Sequence, residues 1–275
     1  MNGTYVTQDR IEHLVANLSE RDRAVLLDLA RVRVLRGRDL TRMHFNDLAP
    51  SSRERTRRRV LARLVEQQLA ATLSRTVGGA TGGGSSDHIY ALGIAGERAL
   101  SLIGAQTTHT PLARSRSPRP PRTLFLGHSL AVSALYASLR TAERDASNGM
   151  RLAEFQIEPT SWHPDGTHGV LKPDAYALLH SPGLADSWWL EVDRATESIP
   201  TLRKKLLAYV DFARRGSTGP DDVMPRVLVT VPDGHRLATV SDLVASLPSP
   251  ASQLIFTTLH DQAVCFMITA LRVES

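Results

Sequence analysis

The residues with the clearest chemical potential lie between 172 and 198, in "KPDAYALLHSPGLADSWWLEVDRATES". Asp174 follows a proline, and seventeen residues later Glu191 and Asp193 stand two apart. Alternation along a strand puts Glu191 and Asp193 on one face, where a neighbouring strand can deliver Asp174. The three carboxylates are therefore expected to converge. Hard oxygen ligands suit Mg²⁺, which polarises a phosphate and lowers the pKa of an attacking water. Cutting a phosphodiester also needs a group that orients the water and balances charge. A lysine could do both, and none stands between residues 174 and 193.

A substitute lysine has three sources. Lys205 lies four residues before Tyr209 on one flank of the following helix, Lys204 points further from that helix's apolar side, and Lys172 adjoins Pro173. The plainer alternative leaves Lys204 and Lys205 solvated or gripping phosphate. Glu143, on the inward face of an earlier helix at its C-terminal end, is a further acidic candidate. His163, His168 and His180 surround the motif without zinc spacing or a cysteine partner, and His128 reads as a core histidine. The tip "GGATGGG" lacks the Gly-Lys-Ser/Thr of a phosphate loop.

The elements that must position these groups follow from periodicity. "GHSLAVSALYASLRTAERDA" and "IPTLRKKLLAYVDFARR" are amphipathic helices, the second with Leu202, Leu206, Tyr209, Val210 and Ala213 inward. "MRLAEFQIEP", "GVLKPDAYALLH", "DSWWLEVD", "PRVLVTVP", "QLIFTTL" and "AVCFMITAL" read as strands, and "RLATVSDLVASL" as a helix. The order α, β, β, β, α, β, α, β, β implies a mixed sheet flanked by helices. Trp188 and Trp189 alternate, so one is expected inside and one outside. Cys265, inside an apolar run, is expected to be a buried, inert thiol.

The first part of the chain has a different character. Residues 1–122 hold 20 arginines and no lysine against 11 acidic residues, whereas the remainder is net acidic. Such asymmetry suits a first half that meets a polyanion. "TQDRIEHLVANL" and "SERDRAVLLDLARVRVL" are helical, with Ser19 as N-cap of the second, and "GRDLTRMHF" is a short helix with Leu40 and Met43 inward. In "SSRERTRRRVLARLVEQQLAA", Val60, Leu61, Leu64, Val65 and Leu69 form an apolar side, while Ser52, Arg55, Thr56, Arg59 and Arg63 gather opposite. A hairpin with a glycine-rich tip follows, with Arg75 in its first strand. Helix, helix, basic helix and hairpin is the order of a winged helix-turn-helix, whose basic helix enters the major groove while its hairpin lies along phosphate. "THTPLARSRSPRPPR", residues 108–122, reads as an extended linker between a domain of residues 1–107 and one of residues 123–275.

The spacing of Pro173-Asp174 and Glu191-Val192-Asp193, with the strand order, resembles the PD-(D/E)xK restriction-endonuclease-like fold. That resemblance would make Asp174, Glu191, Asp193, Lys205 and Glu143 the catalytic set, with Asp174, Glu191 and Asp193 on the metal. "LSERDRAVL", "LGIAGERAL" and "LEVDRATE" together resemble the replication-relaxation family, and the resembling segments cover most of the chain. That resemblance implies a winged helix joined to a nuclease-like domain, in proteins linked to plasmid or phage replication and DNA relaxation.

The expected fold is thus α/β with two domains, an N-terminal winged helix-turn-helix and a C-terminal restriction-endonuclease-like sheet. The favoured function is a DNA-binding protein of a mobile element whose nuclease-like domain does not cut. The alternatives are a Mg-dependent endonuclease or nickase, and a repressor with a C-terminal dimerisation domain. Double-stranded DNA is the expected partner, with replication proteins and a second copy of the chain as further candidates; magnesium is needed only if the site cuts. No apolar run approaches the roughly 20 residues of a membrane helix. The polar N-terminus is unlike a signal peptide, so a cytoplasmic location is expected.

Overall fold

Ser19 closes a capping box at the start of the second helix. Its hydroxyl accepts from the Asp22 amide while the Asp22 carboxylate accepts from the Ser19 amide, a reciprocal cap that starts α2 (Glu20–Val32). The computed structural model describes residues 7–73, 88–106, 123–147 and 149–273, and the chain divides into two compact units, Met1–Ala137 and Ser138–Ser275. The division falls within one helix, α6 (Thr123–Asp145). The sequence places the second domain's start at residue 123, yet Leu126 and Leu130 pack with Val34, Ile89 and Ala91 of the first unit. The expected linker, residues 108–122, lies outside the described residues.

In the first unit, α1 (Gln8–Ala16) and α2 are followed by β1 (Val34–Arg36), α3 (Gly37–His44), α4 (Pro50–Glu66), β2 (Ala70–Leu73), β3 (Ile89–Leu92) and α5 (Ile94–Gln106). The helix expected to continue through Leu35 instead stops at Val32. Arg33 takes a positive φ of 65°, and Val34 and Leu35 enter a strand. The three strands form an antiparallel sheet in the order β1-β3-β2. The "LGIAGERAL" segment owes its glycines to close approach. A Cβ at Gly93 would lie 2.1 Å from the Gln68 carbonyl oxygen, and one at Gly96 2.1 Å from that of Leu69.

The second unit builds a five-stranded sheet in the order β10-β9-β8-β7-β4, from β4 (Arg151–Ile157), β7 (Ala175–Ser181), β8 (Leu184–Val192), β9 (Arg226–Val231) and β10 (Ile255–Leu259). β8, β9 and β10 run parallel, whereas β4, β7 and β8 pair antiparallel. The expected strand "GVLKPDAYALLH" is two. Lys172–Asp174 separates β6 (Val170–Leu171), which forms a small ribbon with β5 (His163–Pro164), from β7. Helices α7 (Ile199–Arg214) and α8 (Gly234–Ala245) pack Leu202, Leu206, Tyr209 and Val240 against Tyr176, Trp189 and Val229.

The segment "AVCFMITAL" is helix α10 (Ala263–Val273), preceded by the single turn α9 (Ala251–Leu254) before β10. A nine-residue apolar run does not distinguish a buried strand from a helix. Its buried residues Ala263, Met267 and Leu271 repeat every fourth position, and Phe266 sets its ring against Trp188 and Phe256. Both tryptophans are consequently fully buried, because helices cover the face of Trp188 as well as that of Trp189. Cys265 falls on the outer side of α10 and is exposed, contrary to the expected buried thiol. Among the described residues no helix is long and apolar enough to cross a membrane.

Candidate functional site

Asp174 stands just before β7, where its amide donates to the Leu190 carbonyl across the β7–β8 ladder. That register sets it beside Glu191, as alternation requires. Ser198 caps α7, accepting from the Thr201 amide, and the helix then presents Lys205 and Tyr209 one turn apart over the same two carboxylates. Lys205 Nζ ion-pairs with Glu191 Oε2 and lies 3.3 Å from Asp174 Oδ1. The Tyr209 hydroxyl donates to Glu191 Oε1, and the Val192 amide donates to Asp174 Oδ2 at 2.8 Å.

Asp193 is held by a different set of groups. Its Oδ2 accepts from Arg236 Nε at 2.6 Å and its Oδ1 from the Ala195 amide at 2.8 Å. Arg236 comes from the first turn of α8, and its Nη2 also donates to the Glu197 carbonyl, which ties the β8–α7 loop to α8. Asp193 thus braces a loop, and the charge it adds is neutralised by a guanidinium. All six oxygens of Asp174, Glu191 and Asp193 are engaged by protein groups, and no group of three or more His, Cys, Asp or Glu among the described residues is arranged to hold a metal. Glu143 is also occupied: it pairs with Arg140 and accepts from the Leu152 amide at 3.2 Å, fastening α6 to β4.

Burial dominates the electrostatics. It pushes the Glu191 carboxyl up to about 8, with Lys205 opposing the rise and Asp174 adding to it. For Lys205, burial pulls the ammonium down, but Glu191 and Asp174 outweigh it and the net shift is upward. Burial and the facing Glu191 raise the Tyr209 phenol well above its usual range, so it remains a donor. The cluster is a proton-rich, hydrogen-bonded knot at neutral pH. Beside it opens a cleft of about 340 Å³ lined by Lys172, Thr201, Lys204, Lys205 and Tyr209.

In the first unit, Arg55 and Arg59 are exposed on α4 and make no hydrogen bond or ion pair among the described residues. Ser52 and Thr56 are half-buried beside them, and the Ser52 hydroxyl donates to the Ala49 carbonyl. Arg63, from the same stripe, is partly committed, with Nη2 2.6 Å from the buried Asp22 of the α2 cap. Arg75 lies outside the described residues. Sequence reasoning missed Arg57, which is fully buried and donates to Glu54 at 2.7 Å. Its position one turn before Leu61 on the inward side was the available signal. It also missed the Arg236 partner of Asp193, which no spacing within the motif reveals.

A family model described as replication-relaxation matches residues 26–227, from α2 into β9. No curated protein and no solved structure matches the chain. The matched span takes in the arginine-bearing helix, Asp174, Glu191, Asp193 and the lysine of α7, and extends over well more than half of the sequence, so the chain belongs to the replication-relaxation family.

Proposed function

We propose that this is a double-stranded-DNA-binding protein of a plasmid or phage-like mobile element, acting in the replication or relaxation of that DNA or in its control. The observation that carries the reading is the pair Arg55 and Arg59, exposed and unpaired among the described residues on α4. The setting supports it: α3, α4 and a sheet in the order β1-β3-β2 follow the plan of a winged helix, with α4 as the helix for the major groove. Free guanidinium groups can bond guanine edges in bidentate fashion or neutralise phosphate. Replication proteins and a second copy of the chain are further partners consistent with such a role.

The second unit, in this reading, is a PD-(D/E)xK-like fold used for binding or assembly without cutting. Six carboxylate oxygens all engaged by protein groups, with the Lys205 ammonium between Asp174 and Glu191 and Arg236 on Asp193, do not fit a resident Mg²⁺. A nicking activity is the competing reading, favoured by Lys205 bridging Asp174 and Glu191 where a displaced catalytic lysine would stand. One agarose gel of supercoiled plasmid with protein and Mg²⁺ or Mn²⁺ separates them. Retarded but intact supercoils are expected. Open circles formed by the wild type and lost in Asp174→Ala, Glu191→Ala and Lys205→Ala would establish the nickase instead.

A further inference from the structure

The antiparallel ribbon of β5 and β6 pairs His163 with Leu171, and continuing its register sets Trp162 opposite Lys172. The Lys172 ammonium accordingly lies 4.9 Å from the centre of the Trp162 ring, and the turn is closed by the buried Ser161 hydroxyl donating to the Pro173 carbonyl at 2.8 Å. Trp162 is 39% exposed, whereas the other two tryptophans are fully buried. The exposed indole lies against the Lys172 ammonium, and Lys172 lines the cleft together with Lys204. Both of those lysines are exposed and carry no ion pair among the described residues. Lys205, deeper in, is already paired with Asp174 and in contact with Glu191, so the open cationic charge belongs to Lys172 and Lys204, with Glu197 the one acid in the lining.

We infer that this cleft holds an unpaired segment of DNA, with a phosphate between Lys172 and Lys204 and a base on the indole of Trp162. The inference rests on reading the second unit as a nuclease-like fold that faces nucleic acid, and it names the ligand and the residues that take it. A space of about 340 Å³ suits about one nucleotide rather than a duplex. An indole stacks a base only when that base has left its helix, and stacking accepts any base because each has a π-face. The lysines supply the electrostatic attraction that tracks the backbone. The site thus fits the single strand exposed when a duplex is opened during replication.

The experiment titrates a short oligo(dT) into the full chain while following tryptophan emission. Trp189 stacks beside Tyr209 of the same cleft, so the quenching is assigned to Trp162 by its loss in Trp162→Phe. Quenching is expected in the wild type and equally in the Arg55→Ala, Arg59→Ala double variant, which separates this site from the duplex-binding face. With a labelled oligonucleotide, Trp162→Ala should weaken binding roughly tenfold through lost stacking. Lys172→Ala with Lys204→Ala should lower the salt dependence, by about 0.7 for each phosphate no longer neutralised. Duplex affinity should stay unchanged in these variants. Absence of quenching, unaltered oligonucleotide affinity in both sets of variants, or equally tight binding of free thymidine monophosphate would overturn the inference.

Discussion

Arg236 Nε lies 2.6 Å from Asp193 Oδ2, and this pair decides the character of the candidate site. It removes the third carboxylate from the pair that Lys205 bridges, and it does so with side chains that are only 13% and 2% exposed. Breaking such a pair leaves a buried charge without its partner. Arg236→Ala should therefore cost about 3–5 kcal/mol of stability in chemical denaturation. Adding Asp193→Asn to it should recover part of the loss, because the stranded carboxylate is then gone. A merely additive double variant would show that the two groups do not depend on each other.

Glu191 should make stability depend on pH in a specific sense. Its carboxyl rises from an ordinary 4.5 to about 8 on folding, chiefly through burial. A raised folded value means that its contribution is full below about 4.5 and is lost as pH climbs through about 8. The wild type should thus lose stability relative to Glu191→Gln between those limits, with a slope of at most about 1.4 kcal/mol per pH unit. Parallel stability curves for the two proteins from pH 5 to 8 would refute the assignment.

The three arginines of α4 that share neither environment nor role should separate under substitution. Arg57 is fully buried, so Arg57→Ala should destabilise on the order of 2–3 kcal/mol through lost packing and pairing. Arg58, whose side chain is 64% exposed, should change stability by no more than about 0.5 kcal/mol. Arg63→Ala should fall between them, at about 1 kcal/mol, because its ion pair with Asp22 is half-exposed. Thermal or urea unfolding of the three variants checks the order.

These contrasts show what the sequence can and cannot reveal. Three-and-four spacing locates α4 and α7, and the Lys205 and Tyr209 spacing places both on one flank of α7. The mixed sheet is legible because "MRLAEFQIEP", "DSWWLEVD" and "PRVLVTVP" combine β-branched or aromatic residues with turn signals. The α10 segment reads wrongly as a strand because a short, wholly apolar run carries no period of its own until a neighbour such as Trp188 selects its buried side. Strand alternation alone assigns Asp193 to the cage. Its capture by Arg236 depends on a helix start forty-three residues away, which local spacing cannot see.

Lys205 also provides a test of how the carboxylates are occupied. The ammonium fills the space between Asp174 and Glu191, so the wild type should show no saturable response to Mn²⁺. Lys205→Ala removes the competing cation and should gain Mn²⁺ binding at alkaline pH, where Glu191 ionises. Trp189, whose ring centroid is 5.5 Å from that of Tyr209, gives a fluorescence readout beside the site. Saturable Mn²⁺ binding by the wild type that Lys205→Ala abolishes would reverse this view and favour the nickase.

The most direct measurement of the central claim is the affinity for duplex DNA across a salt series, read by anisotropy of a labelled duplex. Wild-type binding should weaken linearly in log–log form as salt releases counterions. The Arg55→Ala, Arg59→Ala double variant should bind more weakly by at least about tenfold, with the slope shallower by about 0.9 for each phosphate no longer neutralised. Its unfolding curve should match that of the wild type, since neither arginine has a partner among the described residues. Equal affinity and equal slope in the two proteins would contradict the claim that this face of α4 binds DNA.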